Sequence, residues 1–150
     1  MKSIWAQCII ILSGCCTAFG IWLLVLETCG SYPVPSAIWN NALIERKSEI
    51  AKSCNRPKLL IVSGSSAISG ISAQQMEADL GIRCVNFGSS AGFGIHFILW
   101  ASKSALKPGD AVLLPLEYEH YDYKLYENVD VTLLHVIASY KKDYFSELAW

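Results

Sequence analysis

Three short stretches of this chain combine glycine with hydroxyl or ionisable side chains. They read Ser63-Gly64-Ser65-Ser66-Ala67-Ile68-Ser69-Gly70, then Gly88-Ser89-Ser90-Ala91-Gly92-Phe93-Gly94, then Glu117-Tyr118-Glu119-His120-Tyr121. A serine on a sharp turn after a buried strand projects toward solvent, and free backbone N–H groups beside it can stabilise an oxyanion. The same hydroxyls also serve as turn and capping residues, and Gly/Ser-rich loops at helix starts hold anions without any catalysis. The spacing is neither the phosphate-binding Gly-x4-Gly-Lys-Ser/Thr nor the Gly-x-Ser-x-Gly elbow. No cofactor motif or metal-ligand spacing accompanies the loops. Cys8, Cys15 and Cys16 fall in an apolar run, and Cys29, Cys54 and Cys84 form no close pair.

These loops must be placed by the elements around them. Leu59-Leu60-Ile61-Val62 reads as a fully buried strand, Ala73 to Leu80 as a helix stopped by Gly81, and Arg83 to Phe87 as a second strand. Phe93 to Leu106 reads as a long apolar helix closed by Lys107-Pro108-Gly109, and Ala111 to Leu116 as a third buried strand. The pattern is β-α-β-α-β, which predicts a parallel sheet in an α/β domain, Rossmann-like or flavodoxin-like with three layers. A last helix is expected over Val131 to Trp150, with Leu133, Leu134, Ile137, Tyr140, Tyr144, Phe145 and Leu148 apolar. His96 and His135 are expected as core or interface residues of their helices. Tyr118, Tyr121, Tyr123 and Tyr126 either stack on sugars or pack over the sheet.

Upstream, Ile4 to Leu26 contains no charged residue. As a helix it is roughly 34 Å long, enough to cross a hydrocarbon core of about 30 Å. Residues 1–27 are therefore expected to be a single-pass signal anchor in the lipid bilayer, with Trp5 and Trp22 as interfacial anchors. Cleavage after a signal peptide is disfavoured because the apolar run continues to Leu26. Leu12-Ser13-Gly14-Cys15 matches a lipobox, yet apolar Phe19 to Leu26 stands where a polar tether would be needed. Charges around the span place the N-terminus inside and the rest of the chain outside, an extracytoplasmic domain. Residues 28–57 form a linker, Ser31-Tyr-Pro-Val-Pro-Ser36, and a lead-in helix to about Lys52. That helix is expected to bury Ile38, Trp39, Ala42, Leu43 and Ile50, with alternating charges solvated on the other side. Residues 58–150 are the α/β domain. The 150-residue chain carries 12 Lys+Arg against 13 Asp+Glu, with 53% hydrophobic and 17% charged residues. This composition excludes intrinsic disorder and gives no reason to expect a nucleic-acid partner.

Lys58-Leu-Leu-Ile-Val-Ser-Gly-Ser-Ser66, Val85-Asn-Phe-Gly-Ser-Ser-Ala-Gly92 and Lys107-Pro-Gly-Asp-Ala-Val-Leu-Leu114 resemble the first half of the SGNH (GDSL-like) hydrolase superfamily. More closely, they resemble the membrane-anchored bacterial SGNH-like proteins that include the D-alanyl-lipoteichoic acid assembly protein, with Gly-Ser-Ser in place of Gly-Asp-Ser. The resemblance covers about residues 57 to 121. By position it implies that Ser66 is the nucleophile and an oxyanion donor, with Gly92, or Gly88 in another alignment, supplying a second N–H. It further implies ester hydrolysis or acyl transfer in the cell envelope: an acyl donor, an envelope polymer as substrate, and a membrane-bound acyltransferase as partner.

Two departures stand against a complete enzyme. Glu117-Tyr118-Glu119-His120 stands where the family often has Gly-x-Asn-Asp after the third strand, and a carboxylate at the asparagine position would repel a developing oxyanion. The Asp-x-x-His pair expected near the C-terminus does not occur, which points to a truncated relative. Glu117-x-x-His120 has that spacing and makes Glu117 and His120 a candidate acid/base pair, although it follows the third strand. The leading expectation is a membrane-anchored SGNH-like esterase or O-acyltransferase that lacks its own base. The other is a non-catalytic, membrane-tethered interaction or scaffold protein.

Overall fold

The computed structural model describes residues 2–29, 32–121 and 130–147, in two compact units, Met1–Pro33 and Val34–Trp150. The first unit is a single helix, α1 (Lys2–Cys29). Its apolar stretch Trp5–Thr28 has 24 residues, about 36 Å at the helical rise, so it is long and apolar enough to cross a membrane. Two threonine hydroxyls within it bond back to the helix, as hydrocarbon would require: Thr17 donates to Ser13 O and Thr28 to Leu24 O, both at 2.8 Å.

The second unit is mostly helical around a small parallel sheet. In chain order it runs α2 (Pro35–Ser53), β1 (Lys58–Ile61), α3 (Ser65–Gly70), α4 (Ala73–Leu80), β2 (Arg83–Asn86), α5 (Gly94–Lys103), β3 (Ala111–Leu113), α6 (Val131–Tyr140) and α7 (Tyr144–Glu147). Short 3₁₀ turns cover Ala91–Phe93 and Tyr118–Tyr121. The strands lie in the order β2-β1-β3, all parallel, with Leu60 level with Val85 and Val112. Side chains alternate along a strand, so Leu60, Val62, Val85 and Phe87 share one face. There they join Ala37, Ile44 and Ala51 of α2, Phe97 and Ile98 of α5, Val136 and Ile137 of α6, and Tyr144 in one core. Phe97 meets Phe93 and Tyr144 edge to face.

Several expected elements differ in extent. The helix foreseen over Phe93 to Leu106 starts at Gly94, whose φ of +71° separates it from the preceding 3₁₀ turn, and ends at Lys103. The tail helix stops at Tyr140. The Lys141 N–H still bonds to the carbonyls of Val136 and Ile137, but its backbone leaves helical geometry before α7 begins; residues 148–150 lie outside the described residues. By contrast α4 ends where foreseen, on Gly81 at φ +69°, whose N–H caps Glu77 O at 3.0 Å.

Two expectations of burial are overturned. The third strand is not buried: β3 has only three residues, and Val112 and Leu113 are 43% and 38% exposed. Among the described residues it is an edge strand that pairs only with β1. In α2 the buried side is Ala37, Asn40, Ile44, Ser48 and Ala51, while Ile38 and Trp39 face outward. Small residues let this helix pack closely, and its bulkiest apolar pair stays outside.

What fixes the start of β3 is a buried ion pair. Asp110 accepts from the Lys58 N–H at 3.0 Å, the Lys107 N–H at 2.7 Å and the Lys58 ammonium, and both side chains are almost fully buried. Burial works to raise the Asp110 pKa, but Lys58 and the two backbone N–H groups outweigh it and hold the carboxyl below its ordinary value. A depressed carboxylate stabilises the fold above its unfolded pKa and loses that contribution as the pH falls through the folded value. Asp110→Asn leaves Lys58 buried without a counter-charge, so it should cost about 3 kcal/mol. Denaturant unfolding at neutral pH measures this, and the variant's stability should fall less steeply than the wild type's on acidification.

Candidate functional site

The sheet order places the two crossovers on opposite sides of β1, so the crevice between the carboxyl ends of β1 and β3 is where an open α/β sheet binds ligands. Ladder bonds continue past the strands and set the loops side by side: Val62 N bonds to Leu113 O, Phe87 N to Ile61 O and Ser89 N to Ser63 O, at 2.7 to 3.0 Å. The loop after β3 then returns its first acidic residue to the loop after β1.

Glu117 is the centre of this crevice. Its Oε1 accepts from Ser66 N at 2.8 Å and its Oε2 from Gly64 N at 3.0 Å. The single hydroxyl proton of buried Ser63 faces both Pro115 O at 2.5 Å and Glu117 Oε2 at 3.2 Å. Gly64 is required here, since a Cβ would stand 2.6 Å from both carboxylate oxygens and 2.7 Å from Ala91 Cα. Burial of Glu117 works to raise its pKa, but the Ser66 N–H and hydroxyl and the Gly64 N–H overcome that and hold it down at about 2. At neutral pH the crevice therefore contains a fixed anion.

His120 lies behind that anion. Its ring is nearly fully buried, with Nε2 3.1 Å from Ala91 O and Nδ1 3.1 Å from Glu117 Oε2. The Nδ1 contact is close in distance but not aligned as a hydrogen bond. Glu117 and His120, three residues apart on one turn, thus meet the Ser66 loop together. The approach is unlike a nucleophile–base pair, because the carboxylate stands between His120 and the serine loop.

The two glycines named as oxyanion donors have other neighbours. The Gly88 N–H donates to Asn86 Oδ1 at 2.9 Å, and its carbonyl accepts from the Lys47 ammonium. Asn86 also donates to Ala67 O at 2.6 Å and Ile71 O at 2.8 Å, tying the first two loops together. At Gly92, the Asp130 carboxylate stands where a Cβ would lie, while capping α6 through Thr132 N at 2.7 Å. His96 is exposed on α5 and is not a core histidine, because the buried positions of that helix are Phe97, Ile98, Ala101 and Ser102. His135 is half-buried on α6. Tyr118 and Tyr121 are exposed, and Tyr123 and Tyr126 lie outside the described residues.

Sequence reasoning missed Lys47, Ser63, Asn86 and Asp130. Asp130 was findable as an N-cap before an apolar run. Lys47 sits among the alternating charges of α2 and carries no signal of its own. The structure half-buries it, and burial lowers its pKa to about 8. Among the described residues no group of three or more His, Cys, Asp or Glu could hold a metal ion. Comparison with family models, curated proteins and solved structures finds no match.

As a depressed carboxylate, Glu117 contributes stability above its unfolded value of 4.5 and loses it as the pH falls toward about 2. Glu117→Gln keeps the shape but replaces charge-assisted bonds with neutral ones and offers an N–H₂ where an acceptor is needed. It should cost about 2 kcal/mol at neutral pH. Thermal unfolding measured from neutral to acidic pH should show this difference narrowing below pH 4.5.

Proposed function

We propose that this chain is a membrane-anchored, SGNH-like cell-envelope protein whose Ser66 loop is held closed by Glu117. Its extracytoplasmic domain works as a tethered interaction module, not as a free-standing esterase. The observation that carries this reading is the 2.8 Å bond from Ser66 N to Glu117 Oε1. The N–H that an ester oxyanion would need already holds an anion, and a transient oxyanion must displace a carboxylate tethered beside it. The parallel sheet in order β2-β1-β3 supports the flavodoxin-like reading, whose strand order begins in that way. The apolar α1 supports the signal anchor. On this reading the partners are a membrane-bound acyltransferase and the envelope polymer that it modifies.

A second reading rests on the line Ser66–Glu117–His120. If Glu117 swings away from Ser66 N and takes the Ser66 hydroxyl proton, Ser66 Oγ can attack an ester carbonyl, and return of that proton to the departing oxygen releases the alcohol and leaves an acyl-serine. The two readings separate on one measurement. Full-length protein in its membrane is treated with a fluorophosphonate probe beside Ser66→Ala, and labelling is read by peptide mass. The interaction reading expects Ser66 to remain unlabelled in folded protein. Labelling of Ser66, lost in Ser66→Ala, overturns it and establishes the acyl-serine route.

A further inference from the structure

We infer that the folded domain docks on the bilayer surface through the first turns of α2 and α6, with Trp39 and Ile38 at the boundary between headgroups and acyl chains. The inference rests on the reading of α1 as a membrane span. Its observations are separate from the Ser66 crevice.

Helix α2 buries Ala37, Asn40, Ile44, Ser48 and Ala51 and leaves Ile38 and Trp39 50% and 57% exposed in its first turns. At the same end lies the start of α6, because Ser36 Oγ and Thr132 Oγ1 are 3.2 Å apart. There Val131 is 64% exposed. Two neighbouring helix starts therefore present three apolar side chains to the surroundings. Within a soluble fold, α2 could have turned its bulkiest pair inward. The packing does the opposite.

The occupant is identified by the chain itself. Between α1, which ends at Cys29, and α2, which begins at Pro35, only residues 30–34 intervene. Fully extended, that link reaches roughly 20 Å, and Pro33 and Pro35 restrict it further. A span ending at the membrane surface thus keeps Trp39 within reach of that surface. The chemistry fits a lipid interface: no charged residue occurs from Thr28 to Ile44, so no ion would have to be desolvated. The nearby Asp130 carboxylate is engaged in capping Thr132 N. Tryptophan, an apolar ring with one N–H donor, favours the headgroup boundary over either water or hydrocarbon.

The test uses the full chain reconstituted in phosphatidylcholine vesicles. The emission of Trp39 is obtained as wild type minus Trp39→Phe, and that of Trp22 as wild type minus Trp22→Phe. Trp39 emission should be blue-shifted, quenched by lipid brominated near the top of the acyl chains, and shielded from aqueous iodide. Ile38→Glu should return Trp39 to iodide while leaving Trp22 quenching unchanged. Trp22 quenched by deeply brominated lipid with Trp39 open to iodide overturns the docking and leaves the anchor standing. Trp39 shielded from iodide yet unquenched by any brominated lipid also overturns it, since protein then covers the patch. Trp22 escaping brominated lipid removes the span itself, and the docking inference with it.

Discussion

A carboxylate taken out of water must be paired or saturated with hydrogen bonds, and Glu117 is saturated by the loop that it closes. Two backbone N–H groups, of Gly64 and Ser66, and the hydroxyl of Ser63 converge on its two oxygens. That demand explains several otherwise separate features. Gly64 has no side chain because the carboxylate and Ala91 leave no room for one. Ser63 is fully buried although polar because two acceptors meet it. His120 is enclosed between Ala91 O and the same carboxylate.

The second carboxylate of the sheet plays a matching part at the other end of β3. Asp110 precedes the strand and takes the Lys58 N–H at the start of β1; Glu117 follows it and takes N–H groups just beyond the end of β1. Between them β3 has three residues and little burial. Apolar packing of that size would not hold an edge strand in register. Two clamps of charge-assisted hydrogen bonds, each worth about 1.5–3 kcal/mol, do so instead. The edge strand is positioned by ions at its ends more than by its own side chains.

This division also explains what could be read from the sequence. Apolar runs and glycine stops gave β1, β2 and α4 to within a residue, because burial and left-handed caps are local signals. The exposure of β3 was not legible, because Ala111 to Leu116 is as aliphatic as β1. The inversion of α2 was hidden for a similar reason. Its apolar residues suggest one face, while close packing against α6 and the sheet selects another, made of Ala37, Asn40, Ile44, Ser48 and Ala51. At the site, residue types and loop order singled out Ser66, Glu117 and His120. What they did not reveal was that the Glu117 carboxylate accepts the N–H groups of Gly64 and Ser66. That depends on a side-chain direction no spacing encodes.

The energetic comparison explains why a glutamate in this position favours holding over turnover. One preorganised N–H aimed at an oxyanion lowers an acyl-transfer barrier by about 3–4 kcal/mol. Glu117 is held well below its ordinary value although burial works the other way, so the same kind of donor is here committed to a resting carboxylate. The carboxylate is present permanently, on a tether of fixed length, whereas an oxyanion exists only at the top of the barrier. In the proposed reading, a substrate would gain from this crevice only by displacing the carboxylate that already holds these donors. An asparagine or a water in the same place would leave the donors free for the reaction. With Glu117 there, the same backbone geometry locks β1 to β3.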